Sequence, residues 1–181
     1  MIHSESMRQL ALSLGADHAV ICSTEIICFD PQFRDICRSN ACGMYGKCWM
    51  CPPAIGPIEE MIRTAKGYEN LLLFQTVDAL EDEFDFEGMM AGGKRMDELI
   101  AALRGELLPT EQHAFLFVGA GGCRVCPQCA MIHNLPCPFP EKAVAGFEAY
   151  GIDVSDLAKQ THMKYNNGKN TVTFFGGVFW R

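Results

Sequence analysis

Three cysteines stand at a short repeated spacing, Cys123-Arg-Val-Cys126-Pro-Gln-Cys129, and a fourth follows at Cys137-Pro138. Iron–sulfur proteins build cubane sites from this kind of run, ending in a cysteine before proline. Zinc sites usually divide their thiolates between two separated C-x2-C knuckles, so a third cysteine at the same spacing favours iron. Each C-x2-C turn aims two thiolates to one side. The third extends the cup around a body wider than one ion, and Cys137 can close the remaining iron. Pro138 fixes φ and removes an N–H that would need a partner.

A second group is Cys37-x4-Cys42-x5-Cys48-x2-Cys51. Gly43, Gly46, Pro52 and Pro53 break regular structure here, so the segment reads as a folded-back loop. A loop of this composition needs something other than apolar burial to hold it, and metal binding supplies that. One knuckle plus two looser cysteines suits either zinc or a cluster. A cluster is favoured because the companion site reads as one and the two could exchange electrons. Tyr45, Lys47 and Trp49 lie between the ligands, where they would shield the site or tune it by hydrogen bonds to sulfur. Cys22 and Cys28 have no partner at knuckle spacing and read as small buried hydrophobes. His133 can in principle replace a cysteine on iron, but four cysteines already suffice.

The chain has 181 residues, 49% of them apolar, which suits one domain over 1–181 with a sizeable core. Its formal charge of −7 argues against nucleic-acid binding, which needs a basic face. Ten cysteines would read as a disulfide framework in a small secreted chain. Glu5 precedes any apolar run, and Leu10–Leu14 is too short for an export signal, so the expected location is the cytoplasm. There, clustered cysteines bind metal rather than pair. No apolar stretch is long enough for a membrane span, so no membrane partner is expected.

The elements that must position these loops alternate. A helix is expected over 6–14, with Met7, Leu10, Ala11 and Leu14 on one face, a Ser6/Gln9 capping box and Gly15 as its stop. Residues 18–29 are β-rich. A helix follows with Pro57 at its first position, Glu59 and Glu60 in its first turn and Gly67 at its end. Residues 70–77 form a continuous apolar run, the mark of a strand covered on both faces. The acidic run 81–87 reads as a solvated loop, or else as a docking patch for a basic redox partner. A helix over 89–107 buries Met96, Leu99, Ile100, Leu103 and Leu107, and a strand over 113–118 leads through Gly119–Gly122 into Cys123. Glycines there can bring backbone N–H groups close to sulfur. Ligand sites in open α/β sheets lie beyond strand C-termini, which fits this placement. A helix from Pro140 through Ala149 and one more turn at 155–159 come next. Asn167-Gly168 signals a hairpin before an alternating strand, Thr171–Trp180, with Val172, Phe174, Val178 and Trp180 on one face. The expected fold is therefore α/β: a small mixed, mainly parallel sheet covered by helices, two cysteine-rich metal-binding loops, and a C-terminal hairpin forming an antiparallel edge.

The two cysteine groups, with Tyr45-Gly46 before Cys48, Cys51-Pro-Pro, Cys137-Pro and Phe147-Glu-Ala-Tyr-Gly-Ile-Asp-Val154, carry a resemblance. From about Ala19 to the C-terminal strand the chain resembles the cysteine-rich prokaryotic family of predicted metal-binding proteins whose function is unknown. The resemblance implies metal binding by those eight cysteines and brings no reaction. The Cys123–Cys129 run also resembles bacterial ferredoxins locally. The gap to Cys137 is longer than theirs, so their ligand sharing between clusters does not carry over.

Three functions follow from these residues. The first is an iron–sulfur protein with two [4Fe-4S] clusters in an electron-transfer or redox role. Cys37, Cys42, Cys48 and Cys51 would hold one cluster, and Cys123, Cys126, Cys129 and Cys137 the other. It requires a redox partner protein; a homodimer is compatible with it and not required. The second is an iron–sulfur enzyme acting on a small molecule or a corrinoid partner, although the C-x3-C-x2-C of radical-SAM enzymes is absent and no catalytic residue stands out. The third is a structural or regulatory zinc module, with zinc most plausible at the Cys37–Cys51 site.

Overall fold

The computed structural model describes residues 4–108 and 115–181. Among the described residues five strands form one sheet, in the order β1-β2-β5-β3-β4. They are β1 (His18–Ser23), β2 (Asn70–Ala79), β3 (Leu116–Gly119), β4 (Ala145–Gly146) and β5 (Thr171–Trp180). The helices are α1 (Ser4–Ser13), α2 (Phe33–Arg38), α3 (Ile58–Lys66), α4 (Phe86–Leu107) and α5 (Val154–Gln160).

β2 is the spine. Its alternate residues face opposite layers, as its uninterrupted apolar sequence demands. Leu72 and Phe74 point to one core with Met7 and Ala11 of α1, Met96, Ile100 and Leu103 of α4, and Val178 and Trp180 of β5. Leu71 and Leu73 point to the other, with Ala65 of α3, Phe147, Ile152, Leu157 of α5, and Phe179 of β5. β5 pairs along the whole of β2, and Gly176 faces Phe74 across the ladder. A Cβ on Gly176 would lie 2.7 Å from Phe74 Cζ and 2.9 Å from Met96 Sδ, so the missing side chain is what admits the ring.

Several expectations need correction. The sheet is mixed but mostly antiparallel: β1–β2, β2–β5 and β3–β5 are antiparallel and only β3–β4 is parallel. The expected parallel sheet took each intervening helix as a crossover. Instead the long cysteine loop and α3 return the chain antiparallel from β1 to β2. There is no C-terminal hairpin. β5 is central, and Asn167-Gly168 is an isolated turn whose Gly168 N–H donates to Asn166 Oδ1. The expected helix over 140–149 is instead the two-residue β4 and a 3-10 turn at Phe147–Tyr150. Pairing of Gly146 with Gly119 and burial of Phe147 outweigh the weak helical pattern.

Other boundaries shift for local reasons. β1 stops at Ser23, whose hydroxyl accepts from Glu25 N–H and starts a 3-10 turn. α4 begins inside the acidic run because Asp85 caps it, accepting from Gly88 N–H at 2.8 Å. Pro57 is the N-cap of α3 rather than its first residue. α1 reaches back to Ser4, and Gly15 ends it at a positive φ of 113°. Residues 113 and 114 of the expected third strand lie outside the described residues. α5 is longer than the single turn expected, and Asp153 caps it through the N–H groups of Ser155 and Asp156. Among the described residues no helix is long and apolar enough to cross a membrane.

Candidate metal centre

The N-terminal cysteine loop leaves α2, which carries Cys37, and turns back on itself. Asn40 Oδ1 accepts the N–H of Tyr45 at 3.0 Å, and Gly46 N–H donates to Pro52 O at 2.9 Å. The second bond closes the loop around Cys48 and Cys51, themselves joined by a Cys51 N–H to Cys48 O bond of 3.0 Å. Buried Arg34 reaches from α2 to Gly56 O at 2.8 Å and holds the loop's exit.

The C-terminal cysteine loop starts at the end of β3. Gly121 takes a left-handed φ of 71° and lies against Gly146, where a Cβ would come within 2.8 Å of Gly121 O. Arg124, inside the cysteine run, is forked onto Asp97 of α4 at 2.7 and 2.9 Å. It also donates to Ala120 O at 3.1 Å. This fixes the first thiols of the run relative to the helix. A 3-10 turn over Ala130–His133 then brings the chain round to Cys137.

The two loops meet. Trp49 Nε1 donates to Leu135 O at 3.0 Å, pinning one loop onto the other. At Gly122 a Cβ would sit 3.4 Å from Cys51 Sγ and 3.3 Å from Met44 Cγ, so the two loops pack closely here, with Met44 the side chain that would have to give way. Between them lies a small cavity lined by Cys48, Cys123, Cys126, Cys129 and Cys137, with Trp49, Met50, Val125 and Pro138 among its other walls. Cys48 is 1% exposed. The neighbouring Cys51 thiol, with the backbone N–H groups of Met50 and Cys123 and the Cys129 thiol, lowers the Cys48 thiol against the effect of burial.

Sequence grouping and spatial grouping thus differ at one residue. Cys37, Cys42 and Cys51 influence one another electrostatically on one side. Cys123, Cys126, Cys129 and Cys137 do so on the other, and Cys48 belongs to both neighbourhoods. Nothing in the spacing foretold this; the nearest signal was the tryptophan beside Cys48. Cys22 packs from β1 against the core, and burial pushes its thiol up to about 11. Cys28 is exposed, not buried as expected, and stands outside the cavity. His133 is exposed, with Nε2 at 3.2 Å from Gln128 Oε1.

The electrostatics are those of crowded thiols. Cys51 donates to Cys48, which holds the Cys48 thiol below its ordinary range and the Cys51 thiol above it. Burial raises Cys37 against the pull of Arg34, and burial with the neighbouring thiols raises Cys126. Several thiols cannot ionise side by side without a cation among them, so the arrangement couples deprotonation to metal entry. A donor set of thiolates alone suits iron or zinc rather than magnesium or calcium. Among the described residues no three Cys, His, Asp or Glu side chains are placed to grip a single ion. The cavity holds about 20 Å³, so a cubane enters only if the thiols swing outward. On the far side of Cys123 and Val125 a larger cleft of about 1100 Å³ opens against α4, with Arg104 and Lys142 on its walls.

Comparison with curated proteins and with solved structures gave no match. The family model described as predicted metal-binding protein (DUF2284) matches residues 20–180, which include every thiol of the two loops, and the chain belongs to that family.

Proposed function

We propose that this chain is an iron–sulfur protein that passes single electrons between partners. Cys123, Cys126, Cys129 and Cys137 would hold one [4Fe-4S] cluster, and Cys37, Cys42, Cys48 and Cys51 a second. The observation that carries this is the convergence on one cavity of all four cysteines of the C-x2-C-x2-C…C-Pro run. A bound cluster supplies reversible one-electron exchange. The chain's part is to shield and tune. Trp49 and Met50 cover part of the cavity and leave the thiols of the C-terminal run partly open to solvent. The N–H groups of Met50 and Cys123 stabilise negative charge on Cys48, which favours the reduced form. The reading includes a cytoplasmic setting, a single domain over 1–181, and a protein redox partner rather than nucleic acid or membrane, in keeping with the charge of −7.

Anaerobic purification tests it, with iron and acid-labile sulfide counted per chain and EPR recorded after dithionite reduction. Brown protein with both counts near eight supports it. Colourless protein with stoichiometric zinc overturns it. Zinc is the second reading, favoured by the small cavity and by the Cys48–Cys51 thiol contact within one C-x2-C turn. An enzymatic variant of the first reading draws on the cleft that shares Cys123 and Val125 with the metal cavity. It predicts that a small-molecule ligand alters the EPR signal.

A further inference from the structure

We propose that the two cysteine sites are one contiguous centre in which the Cys48 thiolate is shared, serving as a ligand on both sides. This deepens the iron–sulfur reading and rests on it for the identity of the metal, but not for the sharing itself. Cys48 comes from the N-terminal loop, yet it lines the cavity of the C-terminal run together with Cys123, Cys126, Cys129 and Cys137. On its own loop it is tied to Cys51, whose N–H donates to Cys48 O at 3.0 Å, and Cys129 of the other loop lines the same cavity. Cys48 is also the most deeply buried thiol of the two loops, at 1% exposure, while none of the other seven is fully buried. A ligand serving only its own loop would have no reason to sit behind the other loop's thiols.

Two contacts hold the loops together there, and neither depends on metal. Trp49, the next residue, is bonded to Leu135 O at 3.0 Å. Met44 and Cys51 of the same loop lie against Gly122 at the start of the C-terminal run. Together they hold the two loops against each other, with Cys48 among the C-terminal thiols.

The proposal has a ligand-count consequence. A cubane takes one protein thiolate per iron. Two cubanes joined by one sulfur need one thiolate fewer than two separate cubanes. One member of the set Cys123, Cys126, Cys129 and Cys137 is then dispensable for cluster retention. The functional consequence is that the two clusters are magnetically coupled and exchange single electrons through the shared sulfur.

The test uses the full chain, purified anaerobically, with metal and sulfide counts and EPR of the reduced protein. Wild type should give a spectrum broadened and split by spin–spin interaction. Cys42→Ala should lose half of the iron and leave a simple spectrum of one cluster. Cys48→Ala, and Cys48→Ser as the conservative variant, should lose more than half and disturb the signal of the remaining cluster. In a serine scan of the four C-terminal cysteines, one variant should keep both clusters. Additive, non-interacting signals in wild type overturn the proposal, and this needs no variant to fold. So does a Cys48→Ala protein that loses half the iron and keeps an unchanged C-terminal cluster. If the protein carries zinc instead, the iron reading fails while the sharing is still decided. Zinc lost from both sites in Cys48→Ala but from one in Cys42→Ala supports it, and equal losses overturn it.

Discussion

Removing the Arg124–Asp97 fork should cost stability by a calculable amount and loosen the metal loop by a related one. The guanidinium makes two bonds to the carboxylate, at 2.7 and 2.9 Å, with both side chains about one-third exposed at 34% and 38%. Exposed ion pairs contribute about 0.2–1 kcal/mol, and good two-point geometry places this one near the top of that range. The bond to Ala120 O at 3.1 Å adds about 0.5–1 kcal/mol, while that to Gly93 O at 3.4 Å is marginal. Arg124→Met should therefore lose about 1.5–2 kcal/mol, and Asp97→Asn about 1 kcal/mol. A double-mutant cycle on urea midpoints isolates the pair, with an expected coupling of about 0.5–1 kcal/mol. Because Arg124 lies between Cys123 and Cys126, the same variant should release metal to a chelator several-fold faster at unchanged metal stoichiometry. A coupling below about 0.3 kcal/mol, or an unchanged release rate, would refute the idea that α4 anchors the loop.

Other outcomes are equally specific. Gly176→Ala should destabilise by about 1–3 kcal/mol, since the new Cβ meets Phe74 and Met96; a rise in urea midpoint would show that strand propensity wins instead. Trp49→Phe keeps the ring but loses the bond to Leu135 O, so it should cost about 1 kcal/mol and hasten loss of metal in air. Near-normal metal retention by that variant would detach Trp49 from loop docking. The alkaline limb should depend on Cys22, whose part-buried thiol is pushed up to about 11 by burial. Unfolded thiols ionise near about 8.5, so its contribution is complete below that pH and is lost as pH rises toward 11. Cys22→Ala should flatten the fall in stability between those values, and a profile identical to wild type would exclude Cys22 as the cause.

Legibility followed the range of the interactions. The apolar run of β2 announced coverage on both faces, and both cores are there. The stripe of Met96, Leu99, Ile100, Leu103 and Leu107 placed α4, because helical periodicity depends only on neighbours a turn apart. The caps at Asp85 and Asp153, which start α4 and α5 earlier than the apolar stripes indicate, were not read from the sequence, because an aspartate in an acidic or polar run does not declare which backbone N–H it will meet. Strand direction was not readable. Whether β2 runs parallel or antiparallel to β1 depends on how forty-odd intervening residues return, and no local propensity encodes that. Asn167-Gly168 looked like a hairpin because a turn signal says nothing about whether a second strand stands opposite. The segment before Phe147 was mistaken for helix because its decisive contact, Gly146 against Gly121 and Gly119, is with a distant glycine run.

By itself the sequence determined the chemistry on offer: thiolates at spacings that short turns can aim together, and an acidic chain with apolar stretches enough for two core layers. Ligand type and local spacing are properties of neighbouring residues, so they survive without a fold. Only the tertiary structure decided which thiols share a cavity. Cys48 lies among the other loop's thiols because Trp49 found Leu135 O and Met44 and Cys51 pack against Gly122, contacts between residues far apart in the chain. Packing of that kind is set by the whole sheet that carries the loops, and no window on the sequence contains it.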